Sequence, residues 1–150
     1  TSTDCYELDL VNKNLAVGYE KVTIDGVATY RNNIFQHVMR GGPAGGGYST
    51  VEDLFRLDAA LRSGKLLSAR SLDALWRAYP EVGSEEYGLG FGINESPAGR
   101  VVGHSGGFNG ISGDLAMYLD EGWTIAVLSN YGGAARLVSD KARGLIAQGR

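Results

Sequence analysis

Apolar and polar positions along the 150-residue chain fall into segments of different period. Residues 1–14 show no period and predict an irregular lead-in. In NLAVGYEKVTIDGVATYR, β-branched and aromatic residues flank Asp25-Gly26, a pairing that predicts a hairpin. The stretch GGPAGGG (41–47) predicts a loop. Ser49-Thr50-Val51-Glu52 has the form of a capping box, with Ser49 as N-cap and Glu52 reaching back. Leu54, Phe55, Leu57 and Leu61 then mark an apolar helical face, and Gly64 suits its stop. A second helix is expected over about 68–79, with Leu72, Leu75 and Trp76 inward and Pro80 ending it. Trp76 is read as a core residue.

The second half changes character. YGLGFGI (87–93), RVVGHSG (100–106), GDLAMYLD (113–120) and WTIAVLSN (123–130) predict successive short strands. Asn109-Gly110 and Asp120-Glu121-Gly122 supply turns, so neighbouring strands should pair antiparallel. The nearly continuous apolar run in WTIAVLSN predicts a central strand buried on both faces. AARLVSDKARGLIAQ closes the chain as a helix with Leu137, Val138, Ala142, Leu145 and Ile146 on one side. Gly144 costs that helix about 1 kcal/mol relative to alanine, so packing must hold it. The expected fold class is α+β, an antiparallel sheet with a covering C-terminal helix and a small helical segment, in one domain.

Composition narrows the function classes. With 43% hydrophobic and 21% charged residues the chain reads as globular. A formal charge of -3 gives no electrostatic footprint for nucleic acid. No apolar run approaches the roughly 20 residues of a membrane span. The single cysteine, Cys5, cannot form an internal disulfide, and neither reducing nor oxidising compartments are excluded. One cysteine and two separated histidines, His37 and His104, argue against a metal site, and no cofactor is expected. Glycine stands out at 23 residues, about twice the usual ~7%. The clusters lack a period, which excludes collagen and solenoid readings. The 41–47 loop lacks the Gly-Lys-Ser/Thr ending of a phosphate cradle and should pack near a cleft or under the helix that follows.

One cluster, GHSGGFNG (103–110), contains both G-x-S-x-G and a near match to G-D-S-G-G. A nucleophile elbow needs a helix after the serine, then an acid and a histidine downstream. Here Asn109-Gly110 and a strand pattern follow Ser105, and both histidines precede it. A trypsin-like triad would place His37 first, yet two helices intervene where a double barrel is required. Ser105 is therefore not read as the nucleophile, and His37 is read as a loop residue. What remains is a strand ending in His-Ser-Gly-Gly, which could leave the Gly107 N–H free to point into a cleft, or could simply turn tightly.

His104-Ser105-Gly106 on a strand, followed by Gly107-Phe108 and a hairpin ending in WTIAVLSN, resembles the C-terminal part of the serine β-lactamase-like family. That family includes class C β-lactamases, D-alanyl-D-alanine carboxypeptidases and related esterases. GGPAGGGYSTVEDLFRLDAALRSGKLLS resembles the family's stretch before its helix. With NLAVGYEK and the final helix, the resemblance covers nearly the whole chain. It implies three motifs meeting in one cleft: S-x-x-K, Tyr-x-Asn or Ser-x-Asn, and Lys-Thr-Gly or His-x-Gly. His104, Ser105 and Gly106 match the third. By resemblance His104 and the Gly107 N–H would serve catalysis, the latter as oxyanion donor, with Ser105 and Gly106 as substrate contacts.

None of Lys13, Lys21, Lys65 or Lys141 has a serine three residues before it, so S-x-x-K is absent. Tyr30-Arg31-Asn32 matches Tyr-x-Asn literally but follows the hairpin and lies closer to His104 than the family places its tyrosine; it is read as a strand end. The chain also starts at Thr1, without methionine or a signal-peptide pattern. The expectation is that residues 1–150 are the C-terminal portion of a serine hydrolase of this type, inactive alone, acting in its parent on a small-molecule or peptide substrate. The resemblance implies a bacterial, exported parent. A different reading stays open, a non-catalytic module that binds a peptide, a cell-wall fragment or a protein. In either case exposed sheet edges would favour a homodimer.

Overall fold

The computed structural model describes residues 2–149. The chain runs into a two-stranded hairpin, β1 (Tyr19–Ile24) and β2 (Val27–Asn32), paired antiparallel with Ile24 opposite Val27. Asp25 and Gly26 both take positive φ, 50° and 78°, as a two-residue turn matching strand twist requires. Two helices follow, α1 (Val51–Arg62) and α2 (Ala69–Trp76), then a short 3-10 turn at Pro80–Val82. The second sheet holds β3 (Gly92–Ser96), β4 (Gly99–Phe108), β5 (Ile111–Tyr118) and β6 (Thr124–Ser129), all antiparallel and in sequence order. Helix α3 (Ala134–Ala147) closes the chain.

Alternation along the strands divides the core into two layers. On one face Val102 of β4 and Met117 of β5 are fully buried against Leu61 of α1 and Leu72 and Trp76 of α2. On the other, Val101, Ala116, Tyr118 and Ile125 pack on Ala142 and Ile146 of α3. Each such side chain contributes about 1.5–3 kcal/mol when fully buried. The sheet is thus covered by helices on both sides, an α+β arrangement as expected.

Several expectations need correction. The N-cap of α1 is Thr50, not Ser49: its hydroxyl accepts the Asp53 N–H at 3.1 Å. Glu52 therefore falls one position short of the residue that closes a capping box. The inward face of α1 is not the leucine-phenylalanine stripe, for Phe55 is 58% exposed, while Asp53, Asp58 and Leu61 are buried. Asp58 turns that face inward by accepting from Arg62 at 2.5 Å and from the Thr124 hydroxyl on β6. Helix α2 ends at Trp76, short of the expected boundary, and Pro80 opens the 3-10 turn instead.

In the sheet, residues 87–91 are not strand. They fold back on α2, with the Leu89 N–H donating to Leu75 O at 3.0 Å. The expected central strand, β6, lies at the sheet's edge among the described residues. On α3 the buried positions are Ala135 and Ser139, joined by Ala142 and Ile146, whereas Leu137 is 76% exposed. Small residues at that spacing let the helix lie close on the strands, a contact leucines would hold apart.

The glycine stretch 41–47 sits at the entrance to α1. The Gly42 and Gly45 backbones bond each other at 2.9 and 3.0 Å, and Asp4 and Tyr48 exchange backbone bonds at 3.1 and 2.9 Å. The lead-in thus pairs with the end of this loop. Among the described residues no helix is long and apolar enough to cross a membrane.

Candidate active site

Strand β4 is ten residues long but has a full-length partner on only one side. β5 pairs with Val101 through Phe108, whereas β3 reaches only from Gly99 to Gly103. The departure of residues 87–91 toward α2 removes the neighbour that His104–Phe108 would otherwise have. Five residues, His104 to Phe108, therefore border an unpaired edge.

Which backbone groups face that edge follows from the register. Leu119 N–H donates to Arg100 O at 2.9 Å, so Arg100 directs its backbone groups toward β5. In an antiparallel ladder alternate residues point to alternate sides. Even-numbered residues of β4 accordingly bond to β5, and the Ser105 and Gly107 backbone groups face the open side. Gly107 N–H has the orientation the sequence reading considered.

Side chains alternate the other way. His104, with Val102 and Gly106, lies on the face that α1 and α2 cover, and its ring meets Tyr87 edge to face at 5.9 Å. Ser105 lies on the α3 face, directly opposite Asp114 of β5. The strand therefore brings His104 and Gly106 together on one face and sets the Ser105 side chain on the other. Both residues still reach the strand edge. They border a recess of about 210 Å³ with Tyr87, Asn94, Asp114 and Arg143.

Close packing of the two central strands fixes this edge. A Cβ at Gly103 would lie 2.0 Å from Leu115 O, so only glycine lets β4 approach β5 here. At Gly106 a Cβ would meet nothing within 4 Å. Asp114 is buried and accepts from Arg143 of α3 at 2.7 Å, so the recess floor carries a paired charge.

Four polar residues of this recess escaped the sequence reading. Asp114 had a signal: it is an acid that shares a strand face with Ala116 and Tyr118. Tyr87, Asn94 and Arg143 had none, because nothing local tells that they reach this recess. His37 is elsewhere, half-buried and stacked on Tyr48 at 5.6 Å. Tyr30 and Asn32 lie at the end of β2 and do not border the recess. Among the described residues no group of three His, Cys, Asp or Glu side chains is placed to hold a metal.

Comparison with known proteins adds to this geometry. Residues 7–148 match the family described as Beta-lactamase. Penicillin-binding protein 4* of Bacillus subtilis (strain 168) is 36% identical over 85 residues, 55% of this chain and 19% of that protein. The crystal structure of a penicillin binding protein from Bacillus halodurans superposes with a TM-score of 0.82 at 22% identity, over 95% of this chain and 44% of that one. The chain spans less than half the length of each. With an α+β fold, a His-Ser-Gly-Gly strand edge and a match over nearly its full length, the chain belongs to the β-lactamase family.

Proposed function

We propose that this chain is the C-terminal portion of a β-lactamase-related serine hydrolase and forms one wall of its acyl-transfer site. The observation that carries this reading is the unpaired edge of β4, where the Gly107 N–H faces the open side, three residues along the strand from His104. A hydroxyl nucleophile on the upstream portion of the parent would attack an ester, peptide or β-lactam carbonyl. The carbonyl oxygen, becoming an oxyanion, would take a hydrogen bond from Gly107 N–H. Collapse of that oxyanion would break the bond to the leaving alcohol or amine, which takes up the proton lost by the hydroxyl, and leave an ester on the nucleophile. Water would then cleave this ester, release the acid and regenerate the hydroxyl. Gly106, without a side chain, leaves room for the substrate on the His104 face, and Ser105 contributes contacts at the edge. The chain contains no S-x-x-K, so it is inactive alone in this reading.

His104 stands where the resemblance places a lysine. An imidazole lacks the three donors an ammonium can turn toward a carboxylate, so esters and peptides should be preferred over carboxylate-bearing penicillins. The β6 edge would pair with a strand of the parent's upstream portion or with a second copy of this chain. Sedimentation of the chain alone would detect the second case.

Intact mass after exposure to a fluorophosphonate, and separately to a penicillin, tests the central reading. The expected result is no adduct on residues 1–150 and a stoichiometric adduct on a chain extended upstream. An adduct on Ser105 would overturn it. No adduct on either chain would favour a non-catalytic binding module.

A further inference from the structure

A second cavity lies beyond the end of the β4–β5 hairpin, and its walls are aromatic. It measures about 340 Å³ and is walled by Tyr19, Tyr30, Tyr131 and Phe108, with Glu20 and Lys21 also lining it. Tyr131 is held between two other tyrosines: Tyr19 at 6.1 Å and tilted by 31°, Tyr30 at 6.0 Å and nearly perpendicular. Despite these contacts all four rings remain exposed, from 38% at Tyr19 to 60% at Tyr30.

The scaffold under the rings is firmly tied. Tyr19 N–H donates to Asn130 O at 2.9 Å and to Gly110 O at 3.2 Å. Buried Asn33 donates from its side-chain amide to Asn109 O at 2.9 Å, which pins the β1–β2 hairpin to the β4–β5 turn. Rings carried on this tied scaffold and left in solvent form an exposed aromatic patch within the chain. They are also preorganised, so a ligand would lose little free energy in ordering them.

We propose that this groove binds a carbohydrate, one pyranose ring of a glycan lying against the tyrosine rings. A sugar presents an apolar C–H face and a rim of hydroxyls. Tyrosine meets both needs, with a flat apolar body and a hydroxyl at its tip. Glu20 and Lys21 add an acceptor and donors at the border of the groove. A simple aryl group would suit an enclosed apolar pocket better than this open, polar-rimmed one. The site needs no nucleophile and stands independently of the reaction proposed above.

Titration of the isotope-labelled chain with the tetramer of N-acetylglucosamine, followed by amide NMR shifts, tests the inference. Shifts are expected at Tyr19, Lys21, Tyr131 and Gly132. Tyr30→Ala should weaken binding by about tenfold, with Tyr30→Phe losing less. Tyr30 is exposed, so the variant's unchanged spectrum elsewhere would certify its fold. Shifts caused by phenylacetylglycine and not by the sugar would overturn the proposal, as would sugar binding indifferent to Tyr30→Ala or no shift with either probe.

Discussion

Asp114 faces Ser105 across the β4–β5 ladder, and its buried carboxylate accepts from the Arg143 guanidinium of α3 at 2.7 Å. The pair joins the central strands to the covering helix. Arg143 is one-third exposed, which puts the pair between the surface and fully buried regimes. Asp114→Asn should lower stability by about 1–3 kcal/mol, read from the urea midpoint. An unchanged midpoint would mean that the pair contributes orientation only.

Asp58 makes the corresponding tie on the other side of the sheet. It is 2% exposed and holds both Arg62 and the Thr124 hydroxyl. Asp58→Ala leaves a largely buried guanidinium without its partner, at a cost of about 3 kcal/mol. Thr124→Val removes one hydrogen bond and should cost about 1 kcal/mol. Equal losses in the two variants would show that the charge pair adds nothing beyond that bond.

Neighbouring glycines of the motif should behave in opposite ways. Gly103→Ala drives a methyl into Leu115 O and should cost about 2–4 kcal/mol, among the larger effects of a single added group. Gly106→Ala meets no atom and should leave the unfolding midpoint nearly unchanged. If the acyl-transfer site proposed above is assembled, the same methyl would stand on the His104 face and obstruct substrate. Denaturation of the chain and turnover by the parent separate the two effects.

Docking of the lead-in on α1 should depend on acid. The Ser2 backbone N–H is the main group that pushes the Asp53 carboxyl down to about 2, helped by the Thr3 hydroxyl and Arg56. Its unfolded value is about 3.9, so the unfolded chain binds the proton first as pH falls. The stabilisation is fully present above about pH 4 and is lost as pH falls toward about 2. Amide exchange at residues 2–5 should accelerate across that window. Asp53→Asn should remove the dependence, and a surviving one would assign it to another carboxylate.

Local chemistry made much of this fold legible in the sequence. Asp25-Gly26 gave away its hairpin because few dipeptides accept two positive φ values, and Asn109-Gly110 marked the β4–β5 turn. The strand carrying His104 to Gly106 was legible from its flanking turns, but the open space beside it was not, because residues 87–91 were expected to be strand and instead fold back on α2. Adjacent hydroxyls at Ser49 and Thr50 left the cap of α1 ambiguous by one residue. Contacts between distant segments left no local mark. The inward face of α3, the exposed edge of β6 and the meeting of Tyr87 and Arg143 at one recess all depend on how elements pack.

The one-sided pairing of β4 makes the strand a reporter of its own occupancy. Amides of His104 and Gly106 are locked to β5 and should exchange slowly with deuterium. Those of Ser105 and Gly107 face water and should exchange fast, giving a two-residue rhythm of protection within a single strand. Any molecule that bonds along the open side would slow the fast half and leave the slow half unchanged. Isotope uptake at two glycines, Gly106 and Gly107, could then register binding even in a chain that performs no chemistry.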